Sequence, residues 1–218
     1  MTDFAAARRN MVDGQVRTTD VTDLRVIAAM LEVPREQFVA PAMAGLAYLD
    51  LDVPVGEGAS FRRLVKPMVL AKLIQAADLK ATDRVLDVGC VTGYAAAIIA
   101  RIAGEVIALE QDAALTEAAR AALSTLPNVG VANGPLTDGW PQAAPYDAIL
   151  IEGATELAPE KLLRQLKDGG RLVCVLGAGP GAKAMLYQCS GGEIGSRPLF
   201  DAAAPVLPGF VKPPEFAF

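Results

Sequence analysis

The sequence predicts an α/β chain: a doubly wound, mostly parallel sheet with an N-terminal helical extension. Three observations carry that prediction. Five short β-branched or Leu-rich runs, RVLDV, EVIALE, NVGVA, YDAILIE and GRLVCVLG, follow Asp83 in order. Ala-rich helical stretches, YAAAIIARIA, DAALTEAARAALSTL and PEKLLRQL, separate most of them. The runs are apolar throughout instead of at every second residue, which is the pattern of parallel strands covered on both faces.

Residues 1–66 form the extension. Helices are expected near 8–16 and 22–31, with Thr22 or Asp20 as a cap for the second. The stretch VPREQFVAPAMAGLAYLDLDVPVGEG is rich in Pro and Gly and reads as turns and short pieces. The α/β domain is expected over 67–200 and begins with a helix that has Pro67 in its first turn. Lys72, Gln75 and Asp78 mark the polar side of that helix, and Val69, Leu70, Leu73 and Ile74 its apolar side. AMLYQC and a segment near 198–201 are candidate edge strands. Residues 201–218 make a Pro- and Phe-rich tail expected to pack its aromatic side chains on the body.

Composition narrows the function. The 218 residues are 52% apolar with a net charge of −5, which suits a packed core and argues against a nucleic-acid partner. The three cysteines, Cys90, Cys174 and Cys189, have neither metal-site nor disulfide-framework spacing, so a reducing, cytoplasmic compartment is expected. The N-terminal residues lack the pattern of a secretory signal, no apolar run is long enough to span a membrane, and no metal site is expected. Histidine is absent, which excludes His-based acid–base catalysis and Ser-His triads.

The segment VLDVGCVTGYAAAIIA holds the motif with most chemical content. It reads as a buried strand, a glycine turn and a helix, the arrangement that binds ligands at the carboxyl end of an open α/β sheet. A dinucleotide fingerprint needs G-x-G-x-x-G, but Val91 and Tyr94 stand where the second and third glycines belong; there is no P-loop either. The better match is Asp/Glu-x-Gly-x-Gly-x-Gly, to which Asp87, Gly89 and Gly93 conform and from which Val91 departs. That motif resembles the first motif of class I S-adenosylmethionine-dependent methyltransferases, whose fold is Rossmann-like. The resemblance implies a cofactor site made of Asp87, Gly89, Cys90, Val91 and Gly93. It also implies Glu110 as the ribose acceptor about 20 residues on, and Gln111, Asn133 and Gly134 beside the adenine.

Further stretches narrow the resemblance. VPREQFVAP, AYLD, VPVGEG, KPMVLAKL, APYDAILIEGA and LLRQLKDGGRLVCVLG make the chain similar to protein-L-isoaspartate O-methyltransferases, as a divergent member. Those enzymes methylate the abnormal isoaspartyl carboxyl of damaged proteins. The resemblance implies S-adenosylmethionine as cofactor and an isoaspartyl protein or peptide as partner. The chain departs from the family pattern in four places, the first a segment before Pro67. With Pro67 as anchor, the family's active-site Ser falls at Val65 and its Thr at Arg63; Ser60 is the one hydroxyl nearby that could substitute. Glu152 stands where the family tends to have Thr, Val91 replaces a glycine, and Asn133 replaces Asp.

These departures map to the expected pocket, and the bulk of Val91 is a possible obstacle to the cofactor. Methyl transfer to a carboxylate needs no strong base, because a carboxylate is already nucleophilic at neutral pH. An ionised Glu152 would repel the substrate carboxylate, whereas Arg62, Arg63 or Lys66 could attract it. Two other readings stay open: a degenerate relative that acts as a binding or regulatory module, and a methyltransferase for another substrate with Glu152 as general base.

Overall fold

The computed structural model describes residues 3–56 and 62–213. Its helices are α1 (Phe4–Met11), α2 (Leu24–Glu32), α3 (Pro67–Ala76), α4 (Tyr94–Ile99), α5 (Ala113–Leu123) and α6 (Glu160–Leu163). Its strands are β1 (Val53–Val55), β2 (Arg62–Leu64), β3 (Arg84–Val88), β4 (Glu105–Glu110) and β5 (Val129–Asn133), followed by β6 (Tyr146–Thr155), β7 (Leu166–Leu176), β8 (Lys183–Ser190) and β9 (Glu193–Asp201). The five expected strands all form, and the two edge candidates become β8 and β9.

The main sheet has the order β5-β4-β3-β6-β7-β8-β9. β3 pairs in parallel with both β4 and β6, and β8 and β9 add antiparallel to the far edge. Strand order therefore reverses between β3 and β6, and the crevice beyond their carboxyl ends is where such sheets bind ligands. Alternating side chains feed two cores. Val85, Ala148, Leu150, Val173 and Val175 pack with the N-terminal helices and α3–α5 on one face. Leu86, Val88, Ile149, Ile151, Leu172 and Cys174 pack with α6 and the C-terminal Leu207 and Phe210 on the other. A continuously apolar strand is the sequence trace of this two-sided burial.

The extension differs from expectation in three places. The first helix runs from Phe4 and widens into a π-helical stretch at Val12–Val16 before ending at Asp20, whose φ is 65°. The cap of α2 is Asp23, whose carboxylate accepts from the Arg25 N–H, and neither Thr22 nor Asp20 fills that role. Residues 53–55 and 62–64 form an antiparallel hairpin that the turn-rich composition hid. Gln75, on the polar side of α3, joins this layer to the domain: Oε1 accepts from the N–H groups of Thr22 and Asp23, and Nε2 donates to the Asp20 carbonyl.

Replacing Gln75 by Ala strands two backbone donors and one acceptor, so stability should fall by about 1–3 kcal/mol. At about 2–4 °C per kcal/mol for a chain of this size, thermal melting should register it clearly. An unchanged Tm would contradict the role given to Gln75.

Candidate active site

The β3–α4 turn keeps the backbone of a glycine loop even where it has lost a glycine. Gly89 and Gly93 have φ of 80° and 94°, and Val91 has φ of 54°. A β-branched residue in the left-handed region is strained. The Val91 side chain is fully buried and belongs to the same core cluster as the α4 side chains. The substitution carries a conformational cost. At Gly93 a Cβ would sit 2.6 Å from Leu123, so only glycine fits there.

Two carboxyl groups meet at the mouth of the crevice. Asp87, the fourth residue of β3, and Glu152, near the end of β6, lie on the same face of the sheet by strand parity. Asp87 is 0% and Glu152 2% exposed, and the two carboxyls face each other, with the Ala96 backbone beside Asp87. Burial and the neighbouring Glu110 charge push the Asp87 carboxyl up to about 7. Burial, followed by the charge of Asp87, drives Glu152 well above the usual carboxylate range, and Arg62 and Arg35 only partly offset this. Burial and the facing Asp87 charge thus both disfavour the ionised form of Glu152, which weakens the repulsion an ionised Glu152 would exert.

Glu110, at the end of β4, is fully buried and richly partnered. Its Oε1 accepts from Arg62 Nη1 at 2.7 Å and from the N–H groups of Gln111 and Asp112. Its Oε2 accepts from the Val91 N–H at 3.0 Å. The same guanidinium donates through Nη2 to the Gly89 carbonyl at 3.1 Å. Arg62, read from the sequence as a candidate substrate cation, is therefore an ion-pair partner of the ribose-type acid.

Arg63 lies in the hairpin beside it, lines the cavity and donates to the Asp52 carbonyl, while the Lys66 N–H donates to the Asp52 carboxylate. Asn133 does not project freely towards a ligand: its Nδ2 donates to the Glu110 and Gln111 carbonyls and to Thr116 Oγ1, tying the β4–α5 turn to β5. Gly134 donates to the Glu110 carbonyl, Gln111 is exposed, and Cys90 is buried under the loop. Val65, where the hydroxyl was lost, is buried in the core; its carbonyl accepts from Arg35 Nη2. Ser60 lies outside the described residues. Of the departures, Arg63 and Glu152 line the cavity.

Three participants escaped the sequence reading. Arg35 is fully buried, donates to the Ala47 and Val65 carbonyls, and stacks 4.6 Å over the Tyr94 ring at the start of α4. Thr92 ties the glycine loop to the extension by donating to the Phe38 carbonyl. Leu207 comes from the tail: Pro205 and Leu207 bracket Ala154 of β6 through two backbone hydrogen bonds, and Leu207 is 3% exposed. No periodicity marks these residues, although the Pro-Gly of VLPGF hints at a pinned turn. The cavity left between Arg62, Arg63, Glu152 and Pro205–Pro208 measures about 210 Å³, below the roughly 300–1,000 Å³ of ordinary ligand pockets.

The donor and acceptor set fits S-adenosylmethionine in kind. A buried acid pair suits a cation, and an acid after β4 suits ribose hydroxyls, but side chains of the chain itself stand in both places. An open α/β sheet with these groups at its switch point has the architecture of a class I methyltransferase.

The comparisons with known proteins agree. The family described as Protein-L-isoaspartate(D-aspartate) O-methyltransferase matches residues 7–196. The chain is 43% identical over 187 residues to Protein-L-isoaspartate O-methyltransferase 1 of Rhodopseudomonas palustris strain HaA2, covering 85% of this chain and 75% of that one. It is 45% identical over 185 residues to the Protein-L-isoaspartate O-methyltransferase of Methylorubrum extorquens, covering 84% and 79%. A solved protein-L-isoaspartate O-methyltransferase superposes with a TM-score of 0.80 at 24% identity, over 93% of this chain and 66% of that longer one. One described as putative, from Plasmodium falciparum and in complex with S-adenosyl-L-homocysteine, gives 0.76 at 20% identity over 95% and 99%. The chain belongs to the protein-L-isoaspartate(D-aspartate) O-methyltransferase family, and at this level of identity it is not the divergent member that its departures suggested.

Two measurements check the site's physics. A carboxyl held protonated in the fold costs stability as pH rises above its unfolded value, 4.5 for Glu152, because the unfolded chain then releases the proton that the native state retains. Glu152→Gln should therefore be more stable than the unaltered chain at pH 8, by about 1–3 kcal/mol for a relieved buried acceptor, and the gain should shrink towards pH 4. A pH-independent difference in urea unfolding would contradict this. For Val91, Gly should cost less stability than Ala although it deletes more buried surface, because it releases about 1–2 kcal/mol of left-handed strain. Equal or reversed losses would contradict the strain.

Proposed function

We propose that this chain is an S-adenosylmethionine-dependent O-methyltransferase that esterifies isoaspartyl carboxyl groups of proteins. The observation that carries the reading is the buried carboxyl pair Asp87–Glu152 beside Glu110 at the switch point of the sheet. Such a pair is costly unless something cationic or hydrogen-bond-donating faces it. When bound, the cofactor supplies an electrophilic methyl group on a sulfonium.

Every other requirement falls to the chain's own groups. Asp87 and Glu152 would hold the cationic methionine end, Glu110 the ribose hydroxyls, and the Asn133–Gly134 turn would border the base. The carboxylate to be methylated needs orientation, exclusion of water and a cation nearby, and Arg63 lines the cavity where that cation is wanted. Burial and Asp87 raise the pKa of Glu152, which disfavours a second negative charge beside that carboxylate. No histidine is needed, since no proton has to leave the nucleophile. One finer point extends the reading: with no His and no hydroxyl at position 65, turnover should rest on binding and orientation alone.

A second reading, a cofactor-responsive binding module without turnover, draws on the Arg62–Glu110 pair, which occupies the ribose acceptor. Incubation with labelled S-adenosylmethionine and an isoaspartyl peptide separates the two. The proposal expects a base-labile methyl ester on the isoaspartyl peptide and none on its normal aspartyl counterpart. Cofactor binding without ester would overturn the enzymatic reading in favour of the module.

A further inference from the structure

The crevice between β3 and β6 is filled from two directions by the chain's own side chains. From the hairpin, Arg62 enters on the β4 side and takes Glu110, with both side chains buried at 6% and 0% exposure. Its second nitrogen closes on the Gly89 carbonyl, so the guanidinium spans the glycine turn and the acid that follows the next strand. A Cβ built on Gly89 would lie 2.9 Å from Arg62 Nη2 and 3.0 Å from Leu207 Cδ1. The close approach that glycine gives a ligand at this turn is thus already used by two protein side chains.

From the tail, residues 205–210 form a strap along the end of β6. The Ala154 N–H donates to the Pro205 carbonyl at 2.8 Å, the Leu207 N–H to the Ala154 carbonyl at 2.9 Å, and the Glu156 N–H to the Phe210 carbonyl at 2.9 Å. The strap turns Leu207 into the crevice, where a Cβ on Gly153 would meet it at 2.6 Å. Leu207 therefore touches the glycines that follow or end both strands at the switch point, Gly89 after β3 and Gly153 in β6. Arg62 is a polar surrogate on the acid side and Leu207 an apolar plug on the other.

We propose that Arg62 and Leu207 compete with S-adenosylmethionine for its own site, so that the cofactor binds only as the guanidinium leaves Glu110 and the strap withdraws Leu207. The inference rests on the cofactor reading given above. Its physical basis is exchange. When Arg62 leaves, Glu110 keeps the N–H groups of Val91, Gln111 and Asp112, so ribose hydroxyls have only one donor position to refill. When Leu207 leaves, the faces of Gly89 and Gly153 open together, because one side chain covers both. Apparent affinity is then the intrinsic affinity scaled by the fraction of chains with both groups withdrawn. Substitutions that remove either competitor raise that fraction.

The test is the affinity for S-adenosylhomocysteine, measured by calorimetry on the full chain. Arg62→Ala and Leu207→Ala should each bind at least tenfold more tightly than the unaltered protein, and Val211→Ala, exposed on the same tail, should bind like it. If either of the first two binds no more tightly, the competition is overturned while the cofactor reading stands. If none of the proteins binds, both fall. Should a variant fail to fold, amide exchange on the unaltered chain decides. Ligands normally slow exchange near their site, but here S-adenosylhomocysteine should speed it at Ala154 and Leu207. Slowed or unchanged exchange there would overturn the proposal.

Discussion

The Glu110 carboxylate is the interaction on which the site depends. It is fully buried, and an unpartnered charge there would be prohibitive. Four donors hold it, three from backbone and one from Arg62. Through them a single side chain fixes the β3–α4 turn, the start of α5 and the β1–β2 hairpin in one arrangement. The Val91 N–H points at Glu110 because the loop keeps its left-handed turn, which helps explain why the chain tolerates a strained valine there. Any ligand that needs this acid must negotiate with a group that already organises the neighbourhood.

The second constraint is strand parity. Side chains alternate between the two cores, so Asp87 and Glu152, on adjacent parallel strands, are delivered to the same face. Burial and mutual repulsion then raise both above the usual carboxylate range. The N-terminal layer finishes the enclosure, with Arg35 stacked on Tyr94 and Thr92 bound to Phe38. The acidic pair, the ribose-type acid and the strap thus converge through long-range packing, not through any one contiguous motif.

This explains what the sequence could and could not reveal. Strands buried on both faces announce themselves as continuous apolar runs, so β3 to β7 were legible, and Pro67 marked the start of α3. Asp87, Gly89, Gly93 and Glu110 were legible because a strand–turn–helix unit fixes their spacing. Val91 was seen as a missing glycine, but the sequence could not show that its backbone keeps the left-handed turn. Glu152 was located, but the neighbour that raises its pKa, Asp87, lies 65 positions earlier in the chain and is brought to it only by the fold. Arg62 was seen as a loop cation, and only the fold reveals its partner. Leu207 carried no signal, because its role comes from a strap that crosses back over β6.

The most direct test of this account is a crystal structure of the chain with S-adenosylhomocysteine bound. The account predicts ribose hydroxyls on Glu110, the Arg62 guanidinium released from it, and Leu207 withdrawn from Gly89 and Gly153. A bound cofactor product beside an intact Arg62–Glu110 pair and an unmoved Leu207 would contradict it.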